Sequence, residues 1–190
     1  MSVIEAIILG VIQGLTEFLP VSSSGHLELG KLILGIQSQD NLLFSIVVHT
    51  ATALSTVVVF RKEIWTLLSG LFSLKWNEEW QFSMKIVLSM IPAAIVGLFF
   101  EDQLDSFFSG KAVFVGSMLV LTGVLLFLTS ILEKKSNQKE VSFFHAALLG
   151  ITQAIAILPG ISRSGSTIAV ALFLGVDREK AARFSFLMVV

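Results

Sequence analysis

The chain has 190 residues, of which 54% are hydrophobic and only 14% charged, and its formal net charge is -1. With a mean hydropathy of +0.86, it carries more apolar side chain than a soluble domain of this length can bury, which indicates an integral membrane protein with no nucleic-acid partner. The chain contains no cysteine, which excludes disulfides and thiolate sites.

The first predicted element is an interrupted helix, a hairpin over residues 1–35. Residues 3–12 are apolar, but a helix needs about 20 residues to cross a bilayer. The apolar run instead meets the polar stretch QGLTEFLPVSSSGH, residues 13–26, before apolar sequence resumes. The first hairpin is therefore expected to enter the membrane and return to the same face.

This break carries groups that are costly in lipid. Gln13 and Glu17 are four residues apart, so a helix presents them on one face. An ionisable residue at the centre of a membrane helix costs roughly 2.5–3.5 kcal/mol, so Glu17 needs a partner or a task there, unless it snorkels to the interface. After Glu17 the sequence places three hydroxyls, one glycine and one imidazole together: Ser22, Ser23, Ser24, Gly25 and His26. An ordinary serine N-cap with a hydrogen-bonded histidine is the alternative interpretation.

Three long apolar stretches, residues 42–60, 82–100 and 112–132, are predicted to span the membrane. Basic residues orient them: Arg61, Lys62, Lys75 and Lys85 follow the first stretch, and Lys134, Lys135 and Lys139 follow the third. By the positive-inside rule, residues 61–85 and 133–140 are cytoplasmic. The acidic link 101–111, with Glu101, Asp102 and Asp105, and the region of Asp40 are then outside.

The second interrupted segment is a hairpin over residues 141–177, followed by a partial C-terminal helix. Its break, PGISRSGST, lies at residues 159–167. A helix N-terminus at this break presents free N–H groups to an anion, and the guanidinium of Arg163 suits phosphate oxygens. The other candidate anion-binding residues are Ser162, Ser164, Gly165, Ser166 and Thr167. A structural ion pair between Arg163 and Glu17 is the alternative.

The two hairpins resemble each other when the chain is shifted by 140 residues. Within residues 6–30 there are seven identities: Ala6, Leu9, Gly10, Gln13, Ser22, Ser24 and Gly25 on Ala146, Leu149, Gly150, Gln153, Ser162, Ser164 and Gly165. Three crossings separate the hairpins, so they enter from opposite faces as an inverted repeat, and their breaks meet at a polar cavity near the midplane. The predicted fold is therefore an all-α integral membrane protein with a single polytopic domain over residues 1–190.

The motifs GLTEFLPVSSSGH and PGISRSGSTIA, with FRKEI and AARFSFL, resemble the bacitracin-resistance family of undecaprenyl-diphosphate phosphatases over essentially the whole chain. The resemblance implies hydrolysis of undecaprenyl diphosphate to the monophosphate, which recycles the lipid carrier for peptidoglycan synthesis and confers bacitracin resistance. It also implies a bacterial cytoplasmic (inner) membrane location, an active site towards the outer face and a divalent cation, Mg²⁺ or Ca²⁺. Members of that family normally continue through further spanning helices after the position of residue 190, which this sequence lacks.

The family's Glu/Gln-x-x-x-Glu motif falls on Gln13 and Glu17, which the resemblance implies as metal ligands. The motif Pro-Val-Ser-Ser-x-Gly-His falls on residues 20–26, and Pro-Gly-x-Ser-Arg-Ser-Gly falls on residues 159–165. Because Gln13 is neutral, a single carboxylate faces the metal, so diphosphate oxygens are expected to complete the coordination.

The expected mechanism is phosphoryl transfer by positioning and charge neutralisation. Arg163, the amides of residues 162–166 and a metal on Glu17 hold the diphosphate. Either Ser23 attacks with His26 as base, which we favour, or His26 itself attacks. A transporter or flippase for a phosphorylated lipid and an intramembrane serine protease are the rival interpretations, and a homodimer stays open.

Overall fold

The computed structural model describes residues 1–36, 42–72, 75–100, 103, 111–132 and 140–189. Regular structure within these residues is entirely helical. The helices are α1 (Val3–Phe18), α2 (Ser23–Ile33), α3 (Leu42–Val59), α4 (Arg61–Phe72), α5 (Glu78–Phe99), α6 (Ala112–Leu132), α7 (Phe143–Ile155), α8 (Arg163–Phe173) and α9 (Arg178–Leu187). The charges used above at Asp40, Glu101, Asp102, Asp105, Lys134, Lys135 and Lys139 lie outside the described residues.

Helices α5 and α6 are long and apolar enough to cross a membrane, and α3 with α4 adds a third candidate if this pair, bent by 75°, is one span. The predicted stretch 42–60 corresponds to α3, which ends before Arg61 begins α4. The stretch 82–100 corresponds to α5, which begins earlier, at Glu78, because the Asn77 side chain accepts a hydrogen bond from the Trp80 amide and caps the helix. The prediction of an all-helical protein with apolar spans is thus confirmed.

Both hairpins break where Pro, Gly and Ser interrupt the apolar sequence. Helices α1 and α2 occupy the first predicted hairpin, and α7 and α8 occupy the second. Their ends correspond at the same shift of 140 residues: Ser2 and Ser142 cap the first helix of each pair, and Ser22 and Ser162 cap the second. Each second helix is followed by a glycine with positive φ, Gly35 at +68° and Gly175 at +82°. The repeat is therefore present in the local backbone as well as in the identities.

The main apolar core lies beneath the second hairpin. Helix α7 packs against α5 so closely that a Cβ on Gly150 would lie 2.7 Å from the Ser89 carbonyl oxygen. Helix α9 closes this core with Phe184, whose side chain is fully buried. Helix α6 contacts both α2 and α8, so a single helix supports both breaks.

Candidate active site

The two breaks contact each other through their small residues. A Cβ on Gly25 would lie 2.9 Å from the Gly160 Cα, and a Cβ on Gly165 would lie 2.7 Å from the Pro20 carbonyl oxygen. Under the shift of 140 residues, Gly25 becomes Gly165 and Pro20 becomes Gly160. The two contacts therefore join the same pair of repeat positions, with the repeats exchanged. The backbones approach so closely that only glycine fits at positions 25 and 165.

A cavity of about 390 Å³ opens where the breaks meet. Its polar wall includes residues of both repeats, together with His49 and Thr56 of α3: Glu17, Ser22, Ser23 and Ser24 from the first repeat, and Ser162, Arg163 and Ser164 from the second. Its apolar wall includes Phe18, Ile157, Ile161 and Phe186. The cavity is thus lined both by charged and hydroxyl groups and by hydrocarbon.

Glu17 is the centre of the polar wall. Its Oε2 accepts hydrogen bonds from Gln13 Nε2, at 2.9 Å, and from the Ser23 hydroxyl. Its Oε1 lies 3.8 Å from a guanidinium nitrogen of Arg163, which belongs to the other repeat. The Glu17 side chain is only 17% exposed, so these donors compensate for much of the hydration that the carboxylate loses. Glu17, Ser23 and Arg163 therefore form one connected group.

Each side of the cavity is also the N-terminus of a helix. Ser22 Oγ accepts from the Gly25 amide at 3.3 Å, and Ser162 Oγ accepts from the Gly165 amide at 3.0 Å. These caps leave the other first-turn amides without partners inside the helix, and such amides attract anions. Ser22 has φ +68°, a conformation that is rare for a residue other than glycine and that concentrates at functional sites.

Other predicted site residues lie outside the cavity lining of the described chain. His26 Nδ1 bonds the Ser22 carbonyl oxygen at 2.8 Å, which assigns the ring proton to Nδ1. Ser166 and Thr167 are buried in α8, where the Thr167 hydroxyl bonds the Ser185 hydroxyl of α9 at 2.7 Å. Gln13 is 1% exposed, and it contacts the group through Glu17. These side chains support the wall of the cavity from behind.

The structure adds Gln153 to the site. This residue lines the cavity, is 8% exposed, and has no hydrogen-bond partner for its Oε1 within the described residues. Gln13 is the equivalent residue of the first repeat, and its Oε1 likewise has no hydrogen-bond partner within the described residues. A buried polar atom left unpaired costs roughly 1–3 kcal/mol, so a ligand that reaches it gains that interaction. The sequence contained one signal that could have identified Gln153 as a site residue: Gln153 coincides with Gln13 when the chain is shifted by 140 residues.

The oxygen atoms of the cavity suit a weakly held hard cation. The described residues contain no group of three or more His, Cys, Asp or Glu side chains placed to hold a metal. The cavity offers two oxygen ligands of the kind that Mg²⁺ and Ca²⁺ prefer, Glu17 Oε1 and the unpaired Gln153 Oε1. Glu17 Oε1 also lies 3.8 Å from Arg163. Because Mg²⁺ is usually bound by one or two carboxylates together with substrate phosphates, this donor set fits a cation shared with a diphosphate.

Comparison with known proteins gives one consistent result. The family described as "Bacitracin resistance protein BacA" matches residues 6–190. A relative from Christiangramia forsetii is 60% identical over 100% of this chain and 72% of its own length, and one from Bacteroides thetaiotaomicron is 50% identical with the same coverage. A relative from Methanococcus vannielii is 46% identical over 97% of this chain and 73% of its own. All three are named undecaprenyl-diphosphatase.

Proposed function

We propose that the cavity between the two helix breaks is the active site. The premise is that this chain belongs to the bacitracin resistance protein BacA family. The chain is a multi-pass membrane hydrolase that converts undecaprenyl diphosphate to undecaprenyl phosphate and inorganic phosphate. The observation that carries the assignment of the site is the position of the Glu17 carboxylate, which accepts a hydrogen bond from Ser23 of its own repeat and lies 3.8 Å from the Arg163 guanidinium of the other repeat.

The diphosphate is held by charge and by helix N-termini. The guanidinium of Arg163 presents a planar fork of donors that matches phosphate oxygens. The free first-turn amides of α2 and α8 add donors from both sides of the cavity. The prenyl chain leaves along the apolar wall formed by Phe18, Ile157, Ile161 and Phe186, which keeps the hydrocarbon in lipid while the headgroup stays in the polar cavity.

Ser23 is the nucleophile of the proposed reaction. Its hydroxyl already donates to Glu17 Oε2, so the carboxylate can accept the proton as Oγ attacks the terminal phosphorus. The bond from that phosphorus to the bridging oxygen breaks, and undecaprenyl phosphate leaves with the bonding electron pair. Water then releases inorganic phosphate from the seryl phosphate. His26, the base that the sequence favours, and direct attack by His26 are the alternatives, although His26 Nδ1 is engaged with the Ser22 carbonyl oxygen.

A divalent cation, Mg²⁺ or Ca²⁺, belongs to this proposal. Glu17 and Gln13 would hold it, and the unpaired Oε1 atoms of Gln13 and Gln153 make both carboxamides suitable oxygen donors. When bound, the cation would neutralise charge on the diphosphate.

The proposed topology is an inverted repeat in the bacterial inner membrane, with the site open towards the outer face. The reciprocal contacts of Gly25 with Gly160 and of Gly165 with Pro20 support a two-fold relation between the hairpins. The same relation is common in transporters, so a flippase for a phosphorylated lipid is the second candidate. Phosphate release separates the two functions, because a carrier releases none.

Arg163→Ala tests the proposed site. Phosphate release from undecaprenyl diphosphate in detergent is expected to fall by at least about 100-fold, since a charged clamp on the transferring group is lost. The thermal unfolding midpoint should stay close to that of the unmodified chain, because Arg163 is 36% exposed. Chelation of divalent cations should also abolish release.

Arg61→Ala is the matched control. Arg61 lies on the exposed start of α4, where it donates to the Val58 carbonyl oxygen, and its loss should leave turnover within about 3-fold, as for a surface residue. If Arg163→Ala kept full turnover, the cavity would not be the active site. If it prevented folding, the structural ion pair with Glu17 would be the better interpretation.

A further inference from the structure

The turn that precedes α8 is held by a side chain from another helix. Thr122 Oγ1 of α6 donates a hydrogen bond to the Gly160 carbonyl oxygen at 3.1 Å, and Thr122 Oγ1 also accepts a hydrogen bond from the Ser162 amide at 3.1 Å. Thr122 is 3% exposed. One buried hydroxyl thus satisfies both an acceptor and a donor of the non-helical backbone. Such backbone is tolerated at membrane depth only where protein or a wet cavity supplies its partners.

These bonds are unusual for a threonine in a helix. Thr hydroxyls in helices commonly donate to the carbonyl four residues earlier in the same helix. Thr129, two turns further along α6, makes this bond: its Oγ1 donates to the Leu125 carbonyl oxygen at 2.9 Å. Thr122 instead directs its hydrogen bonds to the second break. The hydroxyl of Thr122 therefore connects two elements, whereas that of Thr129 bonds within its own helix.

The held turn leads directly into the active site. Ser162 is the N-cap of α8 and Arg163 is its first residue, so the backbone position of Ser162 determines where the guanidinium and the first-turn amides begin. The same face of α6 restrains the breaks elsewhere: Val115 O would lie 2.5 Å from a Cβ on Gly160, and Leu119 Cδ2 would lie 3.0 Å from a Cβ on Gly25. Positions 115, 119 and 122 share one helix face by their spacing.

We propose that Thr122 is a positioning residue of the diphosphate site. It holds the Gly160 to Ser162 backbone so that Arg163 and the α8 amides face the substrate, and it makes no contact with the substrate itself. This role rests on the proposed function, because it concerns the position of the groups that bind the diphosphate. A displacement of about 1 Å in such groups can cost on the order of 100-fold in rate.

Thr122→Val removes the hydroxyl while keeping the shape of the side chain. The kcat/KM for undecaprenyl diphosphate is expected to fall by about 10- to 100-fold, and Thr122→Ser, which keeps the hydroxyl, should recover turnover to within about 3-fold. Thr129→Val is the matched control: it makes the same change on the same helix at a site that is 5% exposed, and it should keep kcat/KM within about 3-fold.

Binding of farnesyl methylenediphosphonate, a diphosphate analogue that cannot be hydrolysed, separates positioning from general stability. We expect this probe to raise the unfolding midpoint of the unmodified chain and of Thr129→Val, but to raise that of Thr122→Val much less. In an Arg163→Ala background, Thr122→Val should change the probe-induced shift no further, because residues that act through one another are not additive.

Equal probe-induced shifts in Thr122→Val and the unmodified chain, or a Thr122→Ser variant as impaired as Thr122→Val, would overturn the positioning role. If Thr122→Val does not fold, Thr122→Ala and Thr122→Ser are compared in its place, with the same criteria. Failure of the proposed function is distinguishable: the unmodified chain would then release no phosphate, or Arg163→Ala would keep its full turnover, whatever Thr122→Val does.

Discussion

Glu17 shows why an acid can persist inside an apolar chain. Its two oxygens face three donors, from Gln13, Ser23 and Arg163, which together compensate for hydration that the carboxylate loses. The four-residue spacing predicts the contact with Gln13, and the structure has it. The contact with Ser23 depends on the turn between α1 and α2, which folds the first residue of α2 back onto the end of α1. Sequence spacing favours a contact between Ser23 and His26 and contains no signal for this one.

Glu17→Gln and His26→Asn separate the two candidate bases. Loss of the base reduces general base catalysis by typically 10²- to 10⁴-fold, so Glu17→Gln should lower kcat by at least about 100-fold. His26→Asn keeps a side-chain donor near the Ser22 carbonyl oxygen, which His26 contacts at 2.8 Å, and should keep kcat within about 10-fold. The measurement is phosphate release at saturating substrate.

The opposite ranking would assign the base, or the nucleophile, to His26. Trapping of a phosphorylated protein supplies an independent readout: the label is expected on Ser23 and should be absent from Ser23→Ala. A label on the imidazole would reject the serine mechanism even if both variants lost activity. Ser24→Ala is the neighbouring control and should keep the label on Ser23, since Ser24 Oγ lies 3.4 Å from Ser22 Oγ, and Glu17 contacts Gln13, Ser23 and Arg163 instead.

At the scale of elements, the breaks follow from chain chemistry. Ser22 and Ser162 cap helices that start where Pro20 and Pro159 have ended the preceding apolar runs. The bend of 75° between α3 and α4 is a different case. The junction between α3 and α4, at Phe60, contains neither Pro nor Gly. The apolar pattern therefore predicts a span that simply ends at the charge of Arg61, and it does not predict the bend.

The helical glycines of the breaks provide a test of the contact between the hairpins. Alanine at position 25 or 165 would place Cβ 2.9 Å from the Gly160 Cα or 2.7 Å from the Pro20 carbonyl oxygen. Both neighbours are backbone atoms, which cannot rotate away, so each variant should lose about 1–3 kcal/mol of unfolding free energy. Both should also lose turnover as the cavity opens. Thermal unfolding and phosphate release in detergent measure the two effects.

Gly10→Ala is the matched control for these variants, because a Cβ at that helical position meets no atom of the described residues within 4 Å. Alanine is favoured over glycine inside a helix by about 1 kcal/mol, so Gly10→Ala should be neutral or stabilising. If all three alanine variants behaved alike, the close approach of the breaks would play no part in folding or turnover.

At the scale of the whole molecule, the repeat was the most informative feature of the sequence. It predicts where both hairpins begin, break and end, and the capping serines and the positive-φ glycines follow the same shift. The supporting role of α6 could not be predicted, because Thr122 lies in an apolar span whose local sequence resembles that around Thr129. Only the packing of α6 against both breaks distinguishes the two threonines.

The inverted orientation of the hairpins is the remaining prediction, and the chain is suited to testing it because it contains no cysteine. Ser2 and Ser142 are equivalent N-caps, both exposed, so Ser2→Cys and Ser142→Cys make matched changes that each cost about 1 kcal/mol of capping energy. An odd number of crossings between them puts Ser2 outside and Ser142 in the cytoplasm. A membrane-impermeant maleimide should therefore label Ser2→Cys in intact cells, and should label Ser142→Cys only in inverted vesicles. Labelling of both from the same face would show that the hairpins enter in parallel, and the two-fold relation of their breaks would then have to arise within one leaflet.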